Sequence, residues 1–192
     1  MNRCANPAAV IPAAMLLFFF VALPPAHGKM YYKRTIEKYT IPDVILITQE
    51  GKEVHLKNFL DSEKPVVLDF IYGTCTTICP ILSVGYAHFQ KELGPEVDSV
   101  QLVSISIDPD NDTPEVMRAY LQRYGAQPGW DILTGKRENV IAVLTEFDAY
   151  VTNKMNHVPL TILRAPGRDT WIRLDGLLSA SDIMKEYKKL AK

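Results

Sequence analysis

The chain has 192 residues, 47% of them apolar, and its 21 lysines and arginines against 22 aspartates and glutamates leave a net charge of −1 at pH 7. So even a balance supplies no excess of cations for a phosphate backbone, which excludes a nucleic-acid partner and a purely electrostatic hold on an anionic membrane. Three cysteines are too few for a disulfide-stapled scaffold, so the fold has to rest on a hydrophobic core.

The N-terminus stands apart from that core. Arg3 precedes an apolar run from Val10 to Leu23, which contains Leu16-Leu17-Phe18-Phe19-Phe20 and is broken by Pro24-Pro25 before Ala26-His27-Gly28. A positive start, a short apolar stretch and small residues at the end predict a secretory signal peptide over residues 1–28. The run is shorter than the ~20 residues that span a bilayer, and an uncleaved membrane anchor is the alternative. Cys4 lies ahead of the run and leaves with it, so the mature chain keeps only Cys75 and Cys79. Residues 29–40, polar and basic around Tyr31 and Tyr32, predict a linker or extended arm, and residues 41–192 one domain.

Within that domain, Ile41 to Thr48 and Glu53 to Leu56 predict a hairpin about the turn Gln49-Glu50-Gly51-Lys52, with a single helical turn near Asn58–Leu60. Val66 to Tyr72 is a continuous β-branched and aromatic run, the mark of a strand buried on both faces. Ile81, Leu82, Tyr86, Phe89 and Leu93 then recur at helical spacing until Gly94-Pro95. Val100 to Ile107 predicts a second central strand. Thr113 is the expected N-cap, and Pro114 the first residue, of a helix that ends at Gly125. Further on come a short strand at Trp130–Leu133 and a helix over Glu138–Tyr150 with Val140, Ile141, Leu144 and Phe147 inward. Leu160–Leu163 and Trp171–Leu174 predict a hairpin around Ala165-Pro166-Gly167, and a last helix capped by Ser179 or Ser181 reaches Leu190. Strands and helices alternating in this order predict an α/β sandwich with a central mixed sheet flanked by helices. A CxxxC pair at the carboxyl end of a central strand points to a thioredoxin-like fold, here with an extra N-terminal β-hairpin.

Cys75 and Cys79 occupy the junction between the buried strand and its helix. A helix start offers unpaired N–H groups and a positive dipole end, both of which stabilise a thiolate. Two such sulfurs suit a redox dithiol or a soft metal ion, and a stable trigonal site wants one more soft or borderline donor. Of the four histidines, His27 leaves with the signal, His55 sits on an edge hairpin, and His88 lies too far along the cysteine helix. His157, just before the strand at Leu160, is the candidate. Met155 carries a thioether but reads as packing. Asp108 and Asp112 read as turn and cap residues, with an outer role for Asp108 beside the site as the alternative.

The string Phe70-Ile71-Tyr72-Gly73-Thr74-Cys75-Thr76-Thr77-Ile78-Cys79-Pro80, the later Val103 to Pro109 with Asp112-Thr113-Pro114, and the distant Asn156-His157 together resemble the Sco/SenC family of copper chaperones. The resemblance runs from about Ile41 to Leu190. It implies a thioredoxin-like fold in an exported, membrane-associated protein, periplasmic or on the outer face of the cytoplasmic membrane. It implies copper, as Cu(I) or Cu(II), on Cys75, Cys79 and His157. It also implies a copper-accepting subunit of a respiratory cytochrome c oxidase as partner, whose binuclear copper centre the protein would serve by delivering copper, by reducing cysteines, or both. The chain departs from the family at Thr76, where many members have proline, and at Asn156, where many have aspartate. Loss of that carboxylate removes a negative group beside the imidazole and is expected to weaken Cu(II) binding or to change how His157 is oriented. Pro159 is similar to the proline that faces the cysteines in thioredoxins and favours redox work. The alternative to a metallochaperone is therefore an exported thiol–disulfide oxidoreductase using Cys75 and Cys79, with Cys75 as attacking thiolate.

Overall fold

The computed structural model describes residues 32–190, so the predicted signal peptide over 1–28 lies outside the described residues. An eight-stranded sheet runs in the order β1-β8-β7-β4-β5-β6-β2-β3. Its strands are β1 (Lys33–Lys38), β2 (Ile45–Thr48), β3 (Glu53–His55), β4 (Val66–Ile71), β5 (Gln101–Ser106), β6 (Trp130–Thr134), β7 (Leu160–Arg164) and β8 (Thr170–Asp175). β4 lies parallel to β5, and β5 to β6, while β7 closes on the other side of β4 antiparallel. This is the expected mixed thioredoxin-like sheet.

All six residues of β4 are buried, because both faces are covered and side chains alternate between them. Val67 and Ile71 join a core with Tyr86 and Phe89 of α2 (Ile78–Leu93), Met117 and Tyr120 of α3 (Pro114–Tyr124), and Ile183 of α5 (Ala180–Leu190). Val66, Leu68 and Phe70 join the opposite core with Leu56 and Leu60 of α1 (Leu56–Leu60) and Val140, Val143 and Leu144 of α4 (Arg137–Glu146). The helix boundaries follow their caps. The Thr113 hydroxyl accepts from the Val116 N–H, and Gly125, at φ 64°, ends α3 in the left-handed region. For α5 the cap is Ser179: its hydroxyl accepts from the Asp182 N–H at 3.2 Å while the Asp182 carboxylate accepts from the Ser179 N–H at 3.1 Å.

Three segments differ from expectation. Residues 33–38, read as part of a linker or arm, pair along their whole length with β8, and the extended chain satisfies its backbone groups at a sheet edge. α1 begins at Leu56, so that Leu56 and Leu60, one turn apart, are both buried. α4 stops at Glu146 instead of running to Tyr150. There the Asp148 N–H donates to Thr145 O and the Ala149 N–H to Leu144 O, with Asp148 at φ 49°. This left-handed stop turns Phe147 inward against Tyr39, Phe70 and Trp171, at ring separations of 4.7, 5.7 and 5.5 Å. Val143 takes the inward position expected of Ile141, which is only partly buried.

Candidate metal centre

Both cysteines are free thiols at the carboxyl end of β4. Cys75 lies in the loop, where its N–H donates to Tyr72 O at 3.1 Å, and Cys79 lies in the first turn of α2. Thr77, the N-cap, makes no side-chain cap bond. The Cys75 sulfur takes that place: it accepts the Cys79 N–H at 3.4 Å and lies 3.7 Å from Thr77 Oγ1. Burial would raise the Cys75 pKa, but hydrogen bonds from the Cys79 thiol, from the N–H groups of Cys79 and Thr77, and from the Thr77 hydroxyl outweigh it and bring it down to about 7. Cys79 is 0% exposed. Burial, and then the neighbouring Cys75 sulfur, push its thiol far above the ordinary range. The pair is thus a thiolate resting on a thiol.

His157 follows a short 3₁₀ turn, Lys154–Asn156, fixed by the Asn153 side chain, which accepts the Met155 N–H at 3.0 Å. The ring is 9% exposed, and neither Nδ1 nor Nε2 has a hydrogen-bond partner. Burial lowers its pKa to about 4, so at neutral pH it is a neutral imidazole with a free lone pair, the form that binds metal. Two buried unpaired nitrogens cost free energy unless something takes them up.

Tyr72 links the histidine to the cysteines. Its ring meets His157 edge-on at 6.4 Å, and Lys154 Nζ lies 5.4 Å from the ring centre. Its hydroxyl donates to Met155 Sδ at 3.5 Å. Burial, and then the neighbouring Cys75 sulfur, push the Tyr72 pKa up to about 12. Among the described residues no three histidines, cysteines, aspartates or glutamates are gathered closely enough to hold an ion. The structure therefore places Cys75 against Cys79, and His157 against the Tyr72 ring rather than within ligand distance of the two sulfurs. The donor set fits copper: two sulfurs, and an imidazole whose nitrogens have no other use.

Two acidic residues brace the site. Asp112 is 0% exposed; both its oxygens accept the Gly73 N–H at 3.1 Å, and Ser106 Oγ donates to it at 2.5 Å. A side chain at Gly73 would meet Asp112 Oδ1 at 2.8 Å, so glycine is required for the carboxylate to hold the cysteine loop. Asp108 accepts from Asn111 Nδ2 at 3.0 Å and pairs with Lys154, which ties the histidine turn to the end of β5. Asp69, on the β4 face beneath α2, is 0% exposed with neither oxygen partnered, and burial raises its pKa to about 7. Sequence reading gave Asp108 its alternative outer role, took Asp112 only for a turn or cap residue, and did not name Tyr72 or Asp69 as site residues. A charged residue inside the apolar run Val66–Ile71 was the one signal available for Asp69.

A sequence profile described as SCO1/SenC matches residues 34–192. The SCO1 protein homolog of Bacillus subtilis is 31% identical over 141 residues, covering 72% of this chain and 70% of that protein. The chain belongs to the SCO1/SenC family. Among solved structures of Sco proteins, BsSco, described as having a disulfide switch and as a member of the Sco family of cytochrome c oxidase assembly proteins, matches at TM-score 0.67 and 25% identity, over 81% of this chain and 95% of that one. Bradyrhizobium japonicum ScoI, solved with copper bound, matches at TM-score 0.61 and 25% identity, over 76% of this chain and 96% of that one. The SCO1/SenC match begins at residue 34, inside β1, in accord with a family domain that includes this edge strand.

Proposed function

We propose that this SCO1/SenC protein is an exported copper chaperone that holds one copper ion on Cys75, Cys79 and His157 and passes it to the thiols of a respiratory cytochrome c oxidase subunit. The observation that carries the reading is His157: a buried neutral imidazole with both nitrogens unpartnered, standing against the tyrosine that leads into the cysteine loop. Copper-bound ScoI from Bradyrhizobium japonicum and the oxidase-assembly family of BsSco support it. Bound metal would supply the attraction that draws His157 past Tyr72 to the two sulfurs. Soft thiolates hold Cu(I), and the imidazole accommodates Cu(II). Transfer proceeds by ligand exchange, incoming thiolates replacing Cys75 and Cys79 in turn. No helix among the described residues is long and apolar enough to cross a membrane, so attachment to the outer face of the cytoplasmic membrane would fall to the N-terminal segment.

The test is copper retention by the reduced protein after dialysis against a competing chelator. The parent should keep about one copper per chain, in line with one closed ligand set, and His157→Ala should keep none. A variant that retains copper as tightly as the parent would remove His157 from the site.

A second reading rests on the inequality of the thiols. The Cys75 thiolate attacks a target disulfide, forming a mixed disulfide and releasing one target thiolate. Cys79, once deprotonated, attacks the Cys75 sulfur, and the second target thiolate leaves and takes up a proton. Two electrons pass to the target, and a Cys75–Cys79 disulfide remains. This work needs no imidazole, so His157→Ala should leave it intact.

A further inference from the structure

Met155 does not pack. It is 66% exposed, although an apolar side chain at the rim of a built site would ordinarily turn inward. Its backbone is fixed, because its N–H donates to the Asn153 side chain at 3.0 Å and the next turn closes with the His157 N–H on Lys154 O at 3.1 Å. Its sulfur is fixed too, since the hydroxyl of the buried Tyr72 donates to Sδ at 3.5 Å. Three residues of this one turn therefore converge on Tyr72: Lys154 over its ring, Met155 on its hydroxyl, His157 against its edge. A thioether sulfur has two lone pairs. The hydroxyl occupies one, which leaves the other free to bind a soft ion.

Thioethers are soft, neutral and selective for Cu(I), whereas imidazole serves both valences. We propose that Met155 is an additional ligand at the solvent side of the site, which joins Cys75 and Cys79 on Cu(I). The proposal rests on the copper reading above. It gives the site a valence-selective ligand: the thioether would strengthen the hold on Cu(I) and add little to the binding of Cu(II).

The test uses the full chain, reduced and labelled with ¹³C at its methionine methyl groups, titrated with Cu(I) alone under anaerobic conditions. Met155→Leu, a change of similar size at an exposed position, assigns the Met155 resonance. That resonance should move in proportion to added metal up to one equivalent, while the methyl of the buried Met117 stays in place. In competition with a Cu(I) chelator, Met155→Leu should bind Cu(I) about tenfold more weakly, the lower end of what a supporting group contributes to a metal site, and its Cu(II) absorption should match the parent. A parent that binds one copper with an unmoved Met155 methyl, or a variant of unchanged Cu(I) affinity, would overturn the ligand role and leave the chaperone reading standing. A parent that binds no copper would overturn both.

Discussion

Two thiols four residues apart in a flexible peptide would titrate almost alike; here burial and the hydrogen bonds gathered by Cys75 separate them. The Cys75 sulfur collects donors at the start of α2, and Cys79 beneath it is fully buried. Alkylation by iodoacetamide should therefore fall on Cys75 alone in the folded protein. Its rate should rise with pH through about 7, where the thiolate forms. Cys79→Ala removes the thiol donor and should move that midpoint upward; equal modification of both cysteines in the folded parent would refute the asymmetry. The types and positions of Cys75, Cys79 and His157 were legible because a motif writes them side by side or in a recurring context. Tyr72 and Asp112 were not. Asp112 acts on Gly73 across 39 positions, and Tyr72 matters because the turn Lys154–Asn156 folds onto it. Such contacts leave no local pattern in a sequence.

Among the elements, the hold of β1 on the domain is the most exposed to test. Glu186 of α5 is 1% exposed and accepts from Tyr32 Oη at 2.9 Å, Arg34 Nε at 2.9 Å and Lys189 Nζ at 2.6 Å. Burial works against its charge, but these three donors outweigh it and hold its pKa below the ordinary carboxylate value. A depressed folded-state pKa stabilises above the unfolded value, and that contribution is lost as pH falls through the folded one. Glu186→Gln should thus cost about 1.5–3 kcal/mol near pH 7, the range for hydrogen bonds to a charged group, and almost nothing at a pH acid enough to protonate the parent. Urea unfolding at both pH values measures the difference, and a cost that persists in acid would mean packing, not charge, is responsible. β1 escaped the sequence reading because Lys33 to Lys38 shows only one half-buried face. Its strand character comes from a partner, β8, that lies near the other end of the chain. The central strands and long helices were legible because each carries its own period of apolar residues and its own caps.

For the whole molecule, the strand order decides which end of the sheet the N-terminal segment leaves from. β1 is antiparallel to β8, β8 to β7, and β7 to β4. Lys33 therefore pairs with Asp175, and Asp175 with Leu160, on the rim where β4 ends and the cysteine loop begins. Three strand spacings separate Lys33 from β4, about 14 Å. The described chain thus begins on the rim of the candidate metal centre, not at the opposite pole. If the segment before residue 32 held the protein to a bilayer, this rim would lie on the tethered side. A bulky folded domain fused directly before Tyr32 should then slow copper loading by a large chelate complex, whereas the same domain fused after Lys192 should not. Equal loading rates for the two fusions would show that the fused domain swings clear. An acceptor rooted in the same membrane would be met edge-on, within a layer rather than through open solution, and the search for it becomes two-dimensional.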